Sequence, residues 1–165
     1  MEAAWGGRAP TVQVLLAAGT AVDAAGPEGI TALMYATFEG HAATVQVLVE
    51  AGAAVDAGDA EGITALMLAA GFGHEATVQA LLAAGAAVDA ASAEGSTALM
   101  GAAEDGHAAT VQMLLAAGAA VHAADAEGIT ALMFAAEFGH AAAVQVLLAA
   151  GAAADAPTRV STVRR

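Results

Sequence analysis

The sequence predicts a mainly α-helical solenoid in which short helix pairs stack on one another and extended loops connect them. The first observation is a period of 33 residues, because Thr-Ala-Leu-Met occurs four times, beginning at Thr31, Thr64, Thr97 and Thr130. The second is that flanking positions recur with the same period, including a Gly two residues before each tetrad and a Gly-His pair after it. A fixed period in this range is typical of solenoids, whose units are too small to fold alone.

Each repeat reads as two helices and a loop, as the copy from Ala60 to Ser92 illustrates. Thr64 is placed to cap a first helix, because a run of good helix formers follows it. Glycines at 71 and 73 end that helix, and apolar residues at helical spacing predict a second helix from His74 to Ala84. Gly85 suits a left-handed C-cap, and the segment after it lacks helical periodicity and predicts a loop. The same period predicts helix pairs near 31–39 and 43–51, recurring through 130–150.

Three apolar columns are expected to form the core between the helices. They are Leu33/Leu66/Leu99/Leu132, Val45/Val78/Val111/Val144 and Leu48/Leu81/Leu114/Leu147. Ala fills many of the remaining helical positions, which allows thin helical layers to pack closely.

The repeated unit resembles the ankyrin repeat. Residues 62–70 (GITALMLAA), Gly73-His74 and residues 85–89 (GAAVD) match most of the family pattern, which is roughly G-x-T-P-L-H-x-A-A-x-x-G-H, a Val/Leu-rich helix and G-A-x-V-N. Two departures recur, since Ala replaces the Pro that opens the first helix and Met replaces the His of the tetrad. The resemblance covers residues 1 to about 156 and implies a protein-binding solenoid whose first helices and loop tips line a concave contact surface.

The chain is expected to contain one repeat array and a short tail. A partial repeat occupies 1–25, complete repeats occupy about 26–58, 59–91, 92–124 and 125–156, and a disordered basic tail occupies 157–165. Met1 is in register with Met34, so the chain begins inside a first helix, and neither end shows the polar capping repeat that solenoids need. A segment of a longer array, or a coding sequence opened at an internal Met, is therefore the favoured interpretation, and a complete protein is the alternative.

The charge is strongly acidic, at −13, and no Lys or Arg occurs between Pro10 and Thr158. Acids recur in the loops, with Glu28/Glu61/Glu94/Glu127 before each helix pair and Asp23/Asp56/Asp89/Asp155 after it, where His122 is the exception. The favoured interpretation is structural: Glu near a helix N-terminus interacts favourably with the helix dipole, and the loop charges keep an Ala-rich solenoid in solution. The functional alternative is a negative edge that steers a partner with a basic surface. Nucleic acid is disfavoured as a partner, since phosphate requires a cationic face.

Catalysis, cofactors and metals are not expected. The recurring histidines (His41, His74, His107 and His140) come once per layer, and stacked helices about 8–10 Å apart cannot bring such ligands to one Zn²⁺. We expect them instead to satisfy backbone groups in the turn between helices. Glu104, Asp105 and Glu137 form the best carboxylate cluster, but no nucleophile, Lys or Arg accompanies it.

The sequence favours a cytoplasmic location without a membrane span. It contains no Cys and no basic-then-apolar signal at its N-terminus. Residues 106–124 carry no Asp, Glu, Lys or Arg, but they include polar residues and are one copy of a repeated amphipathic unit rather than a continuous apolar span.

The candidate partner-binding residues lie where the repeats differ. All six aromatic residues fall in three first-helix columns, which are Glu2/Tyr35/Leu68/Gly101/Phe134, Trp5/Phe38/Gly71/Glu104/Glu137 and Gly6/Glu39/Phe72/Asp105/Phe138. By the resemblance, these columns and the loop tips contact partners, and aromatic residues are enriched at binding hot spots. The candidate set is Tyr35, Phe38, Glu39, Asp59, Ile63, Phe72, Ser92, Glu104, Asp105, Asp125, Ile129, Phe134, Glu137 and Phe138.

Two of these columns have different expected roles. For Tyr35, Leu68 and Phe134, the favoured interpretation is that they fill the core between helices, and partner binding is the alternative. For Phe38, Phe72 and Phe138, which neighbour acids or glycines at a helix end, a binding role is favoured.

The sequence thus predicts a protein-binding scaffold that presents an aromatic, Ile and acidic concave surface to a protein partner. The alternative is a structural array segment, a spacer or a self-associating fragment with no binding activity of its own.

Overall fold

The computed structural model describes residues 1–153, which form ten α-helices arranged as five pairs. The helices are α1 (Glu2–Trp5), α2 (Ala9–Ala17), α3 (Ala32–Phe38), α4 (Ala42–Glu50), α5 (Ala65–Gly71), α6 (Glu75–Ala83), α7 (Ala98–Glu104), α8 (Ala108–Ala116), α9 (Ala131–Glu137) and α10 (Ala141–Ala149). A 3-10 turn (Pro27–Gly29) precedes α3, and within the described residues the only β structure consists of isolated bridges in the loops. The predicted helical solenoid is confirmed; the expected basic tail at 157–165 lies outside the described residues.

The first helix of each complete pair begins at the predicted Thr. Thr31 Oγ1 accepts a hydrogen bond from the backbone N–H of Met34 at 3.3 Å, and the same bond recurs at Thr64, Thr97 and Thr130. The bond satisfies one of the free N–H groups at a helix start. Each first helix then ends near a glycine in the left-handed region, such as Gly73 with φ of +66°. The repeated Thr and Gly therefore set the length of the first helix.

The helices form two layers. The first helices (α1, α3, α5, α7, α9) pack against each other in sequence order, and the second helices (α2, α4, α6, α8, α10) form a parallel layer behind them. Neighbouring first helices pack more extensively than neighbouring second helices. No helix among residues 1–153 is long and apolar enough to cross a bilayer.

The core lies between these layers and follows the predicted columns. The Leu33 column, the Leu48 column and the first three members of the Val45 column are buried, whereas Val144 in the last helix pair is only partly buried. Met34, Met67 and Met100 of the tetrads are buried as well. The Met that replaces the family's His therefore fills core volume, for which its flexible apolar side chain is suited.

Two sets of hydrogen bonds join each loop to the next repeat. The backbone N–H groups of Ala60, Ala93 and Ala126 donate to the carbonyls of Glu28, Glu61 and Glu94, each at 2.9 Å. In addition, the carboxylates of Asp23, Asp56 and Asp89 accept from Ala54, Ala87 and Ala120, at 2.8–2.9 Å. The recurring loop Asp thus links repeats besides carrying charge, a role that the sequence analysis did not assign to it.

Candidate protein-binding surface

The variable first-helix columns place a row of side chains at the C-terminal ends of the first helices. Each first helix contributes its last residue and the residue after it, and these ten positions are called the C-terminal row below. They are Trp5, Gly6, Phe38, Glu39, Gly71, Phe72, Glu104, Asp105, Glu137 and Phe138. All are exposed except Gly71, which is partly buried. The C-terminal row therefore runs along the stack of repeats, with two positions in each repeat.

The aromatic members of the row are unusually open to solvent for large apolar side chains. Phe38, Phe72 and Phe138 are 47%, 50% and 53% exposed, and Trp5 is 56% exposed. Trp5 was absent from the candidate set, although its column already placed it in register with Phe38. Half-exposed rings leave apolar area that a partner could bury.

Side chains in the row meet diagonally, from the last residue of one helix to the C-cap of the next. The rings of Phe38 and Phe72 have centroids 4.7 Å apart in an edge-to-face arrangement. The indole N–H of Trp5 donates to a Glu39 carboxylate oxygen at 2.6 Å. The structure therefore brings together Trp5 with Glu39 and Phe38 with Phe72 in the first half of the row.

The second half of the row is acidic and open. The equivalent diagonal pairs of positions in this half are Gly71 with Asp105 and Glu104 with Phe138. A Cβ atom on Gly71 would come no closer than 3.9 Å to a neighbouring atom, an Asp105 carboxylate oxygen, so this place holds no side chain. Within residues 1–153, the carboxylates of Glu104, Asp105 and Glu137 have no hydrogen-bond or ion-pair partner. The second half of the row therefore holds three unpaired carboxylates, and that of Asp105 lies beside the unfilled position at Gly71.

The deeper column contributes less exposed surface. Tyr35, Leu68 and Phe134 are partly buried, and Phe134 packs against the core. The ring of Tyr35 lies 6.4 Å from that of Trp5. Gly101 takes the place of a large side chain in this column, next to the backbone of Gly71. These side chains form the floor below the row.

The loop-tip candidates hold their own turns closed. One carboxylate oxygen of Asp59 accepts from the N–H groups of Glu61 and Ile63, at 3.1 and 2.8 Å. Asp125 and the hydroxyl of Ser92 make the equivalent pairs of bonds. Ile63 is partly buried and Ile129 is buried. A side-chain oxygen that bonds backbone two and four residues ahead is a known turn device, and the recurring Asp/Ser could have indicated it.

The histidines support the row from below. His74 Nε2 lies 3.0 Å from the carbonyl oxygen of Phe38, and His41 makes the same contact with Trp5. The His74 ring sits where Gly40 has no side chain, since a Cβ there would lie 2.7 Å from His74 Nδ1. The prediction that these histidines satisfy backbone groups is confirmed for His41 and His74. Residues 1–153 contain no group of three or more His, Cys, Asp or Glu side chains that could hold a metal ion.

The comparison with family models agrees with this architecture. The model described as ankyrin repeats, in three copies, matches residues 1–92 and again residues 85–158. No curated protein matches the chain. Ankyrin repeats generally mediate protein–protein interactions, and the family is typically a non-enzymatic scaffold. Stacked helix pairs, a glycine-bounded first helix and family-model matches spanning residues 1–158 lead to one conclusion: the chain belongs to the ankyrin repeat family.

Proposed function

We propose that this chain is a protein-binding scaffold and that its C-terminal row is the contact surface. The observation that carries the proposal is the line of half-exposed rings at the helix ends, Phe38, Phe72 and Phe138. Large aromatic side chains bury much area on binding and lose little conformational freedom, which is why they dominate many interface energies.

Support also comes from how the rings are held. Phe38 and Phe72 contact each other, and the rings of Phe72 and Phe138 stack on His74 and His140 at centroid distances of 6.0 and 6.4 Å. Because neighbouring rings already restrict these side chains, less entropy is lost when a partner covers them. A preorganised aromatic surface on a repeat scaffold is suited to recognition rather than to chemistry.

A second candidate function is self-association through the first repeat. A cavity of about 270 Å³ lies between α1, α2, the loop after α2 and the next helix pair, and its lining is mostly apolar. Leu15 of α2, which lines the cavity, is 43% exposed. A second copy that covered this area would make the chain a spacer or assembly unit rather than an adaptor. Sedimentation velocity over a range of concentrations tests this, and a monomer at all concentrations contradicts it.

The scaffold proposal is tested with a triple variant in which Phe38, Phe72 and Phe138 are changed to Ala. A partner recovered by chemical cross-linking and affinity capture is purified, and its affinity for both proteins is measured by calorimetry. Truncating hot-spot aromatics costs about 2 kcal/mol or more, so we expect at least about a 30-fold loss of affinity. Circular dichroism should show an unchanged helical fold, since none of the three rings is buried.

The matched control is a double variant, Val14→Ala and Leu148→Ala. These side chains are 69% and 42% exposed, comparable with the three rings, but they belong to the second-helix layer. We expect the control to bind the partner as the unaltered protein does. Equal affinity of the triple variant and the unaltered protein would move the contact surface away from the C-terminal row.

A further inference from the structure

We propose that the partner segment docking on the C-terminal row is basic, with an apolar side chain over the first half of the row and an Arg or Lys over the second half. This inference rests on the proposed function and specifies the chemistry of the partner. The inference follows from an asymmetry in the row. Its first half has one acid, Glu39, which accepts a hydrogen bond from Trp5, and its second half has three acids without a partner among residues 1–153.

The first half offers apolar contact. Phe38 and Phe72 touch each other, and the only acid there, Glu39, already accepts a hydrogen bond from Trp5. A cationic partner group placed over this half would meet one carboxylate, that of Glu39, whereas the second half presents three. An apolar side chain would bury exposed ring area, which is favourable in proportion to the area covered.

The second half offers charge that nothing in the described chain neutralises. Glu104, Asp105 and Glu137 are exposed and unpaired, and Arg8, in the first repeat, is the only Lys or Arg among residues 1–153. The chain as a whole is also acidic, with 17 acidic and 4 basic residues, which adds a general attraction for a cationic partner. An acidic partner segment would be repelled, whereas a cationic one is attracted and held in register.

The unfilled position at Gly71 gives a cation a defined place. A side chain entering there has the Asp105 carboxylate as its nearest neighbour, and Phe72, an exposed aromatic residue, is the next residue in the chain. Below it, the backbones of Gly71 and Gly101 approach without intervening side chains, since a Cβ on Gly101 would lie 3.6 Å from the Gly71 Cα. A guanidinium can stack on an aromatic face while its N–H groups bond to a carboxylate. Arg is therefore better suited than Lys.

The repeat spacing sets the spacing of the two partner side chains. Adjacent helices lie about 8–10 Å apart. A peptide in the extended polyproline II conformation advances about 3.1 Å per residue with three residues per turn, so its residues i and i+3 lie on the same side. One repeat therefore corresponds to about three residues of an extended partner. We expect an apolar side chain and an arginine separated by two residues to reach the two halves of the row together.

Synthetic peptides test this directly. The probe carries leucine and arginine separated by two alanines, and it is made in both chain orders because the docking direction is open. A second peptide replaces arginine with citrulline, which keeps the shape and removes the charge. Binding to the full-length chain is measured by fluorescence anisotropy at low salt, and amide chemical shifts locate the site. We expect at least fivefold tighter binding of the arginine peptide, with shifts concentrated at Gly71, Phe72, Gly101 and Asp105.

Variants with equal charge changes separate a local site from general attraction. Glu104→Gln with Asp105→Asn should weaken the arginine peptide at least fivefold and leave the citrulline peptide unchanged. Glu50→Gln with Glu75→Gln removes two exposed charges from the second-helix layer and should have no more than a small effect. Gly71→Gln fills the open position without adding charge and should also weaken the arginine peptide, although the fold has room for it.

Several results would overturn the inference. One is equal binding of the arginine and citrulline peptides. Another is an equal loss of affinity in the two double variants, which would mean diffuse attraction, and a third is an amide-shift map centred elsewhere. These failures leave the scaffold proposal intact, because that proposal depends on the natural partner's response to the Phe38, Phe72 and Phe138 triple variant.

Discussion

The column of loop aspartates that link neighbouring repeats is interrupted at His122, and this predicts a stabilising substitution. Asp23, Asp56 and Asp89 each accept a bond from a backbone N–H 31 residues later in the chain. His122 occupies the next position of this column, and its counterpart donor is Ala153. Within the described residues no hydrogen bond joins the two. Changing His122 to Asp should restore the missing link between the last two helix pairs.

The expected gain is about 1 kcal/mol in the free energy of unfolding. A hydrogen bond to a charged group contributes about 1.5–3 kcal/mol, but His122 and the existing members of the column are exposed, and solvent screens such bonds. The added negative charge also increases repulsion in a chain that already carries −13. A gain of about 1 kcal/mol corresponds to a rise in melting temperature of about 2–4 °C for a chain of this size.

Urea unfolding and hydrogen exchange at Ala153 measure the effect. His122→Asn supplies an uncharged acceptor and should give a smaller gain, whereas His122→Ala supplies none and should give no gain. The Ala153 amide should exchange more slowly in the Asp variant than in the Ala variant. If the Ala variant is stabilised as much as the Asp variant, the gain comes from removing His122, and the proposed hydrogen bond from Ala153 to residue 122 is refuted as its cause.

Three further predictions concern packing and stability. Gly73→Ala should lower the free energy of unfolding by about 2 kcal/mol or more, because φ is +66° and the new Cβ would press on His107. Gly85→Ala, with φ of +87° but open space around it, should lower it by about 1 kcal/mol. Equal losses in urea unfolding would show that the His107 contact contributes nothing. Thr77→Val should raise the free energy of unfolding by about 1 kcal/mol, since the buried Thr77 hydroxyl has no hydrogen-bond partner, and Thr77→Ser should lower it. A destabilised Val variant would mean that the hydroxyl is hydrogen-bonded. Amide exchange should be faster in α1, α2, α9 and α10 than in α3 to α8, because the first and last helix pairs each contact one other pair; uniform protection contradicts this.

Most of the fold could be predicted because the same sequence signals recur in every repeat. One Thr before an Ala-Leu run is weak evidence for a helix start, but four at the same spacing make chance agreement improbable, and all four caps are present. The observed helices begin and end within about a residue of the predicted limits. The partial exposure of Val144 could not be read from its column, because burial depends on what lies beyond the last helix pair.

The candidate surface was predictable in position but not in detail. Column variation indicated the helix ends, and Phe38, Phe72 and Phe138 are indeed exposed there. The pairing of Phe38 with Phe72 joins two different columns across neighbouring repeats, so comparison within a column could not reveal it. The loop-tip residues Asp59 and Asp125 were chosen for their charge, yet their carboxylates close turns, because local backbone geometry brings donors within reach.

Whether those loop tips also contact a partner stays a prediction. Asp59 accepts both of its hydrogen bonds through the same carboxylate oxygen, Oδ1. The second oxygen makes no hydrogen bond within residues 1–153 and is available to a partner.

The links between repeats have a consequence for how such a chain can change length. Apart from the Trp5–Glu39 bond, the inter-repeat hydrogen bonds described above join each repeat to its immediate neighbour through the same kinds of group in successive copies: backbone N–H and C=O groups, the loop Asp carboxylate and the His ring. Deleting residues 60–92 would bring Ala93 to the place of Ala60, His107 to that of His74 and Ala120 to that of Ala87. Genetic gain or loss of whole 33-residue units therefore leaves the remaining joints chemically unaltered, and what changes is the order of side chains along the C-terminal row.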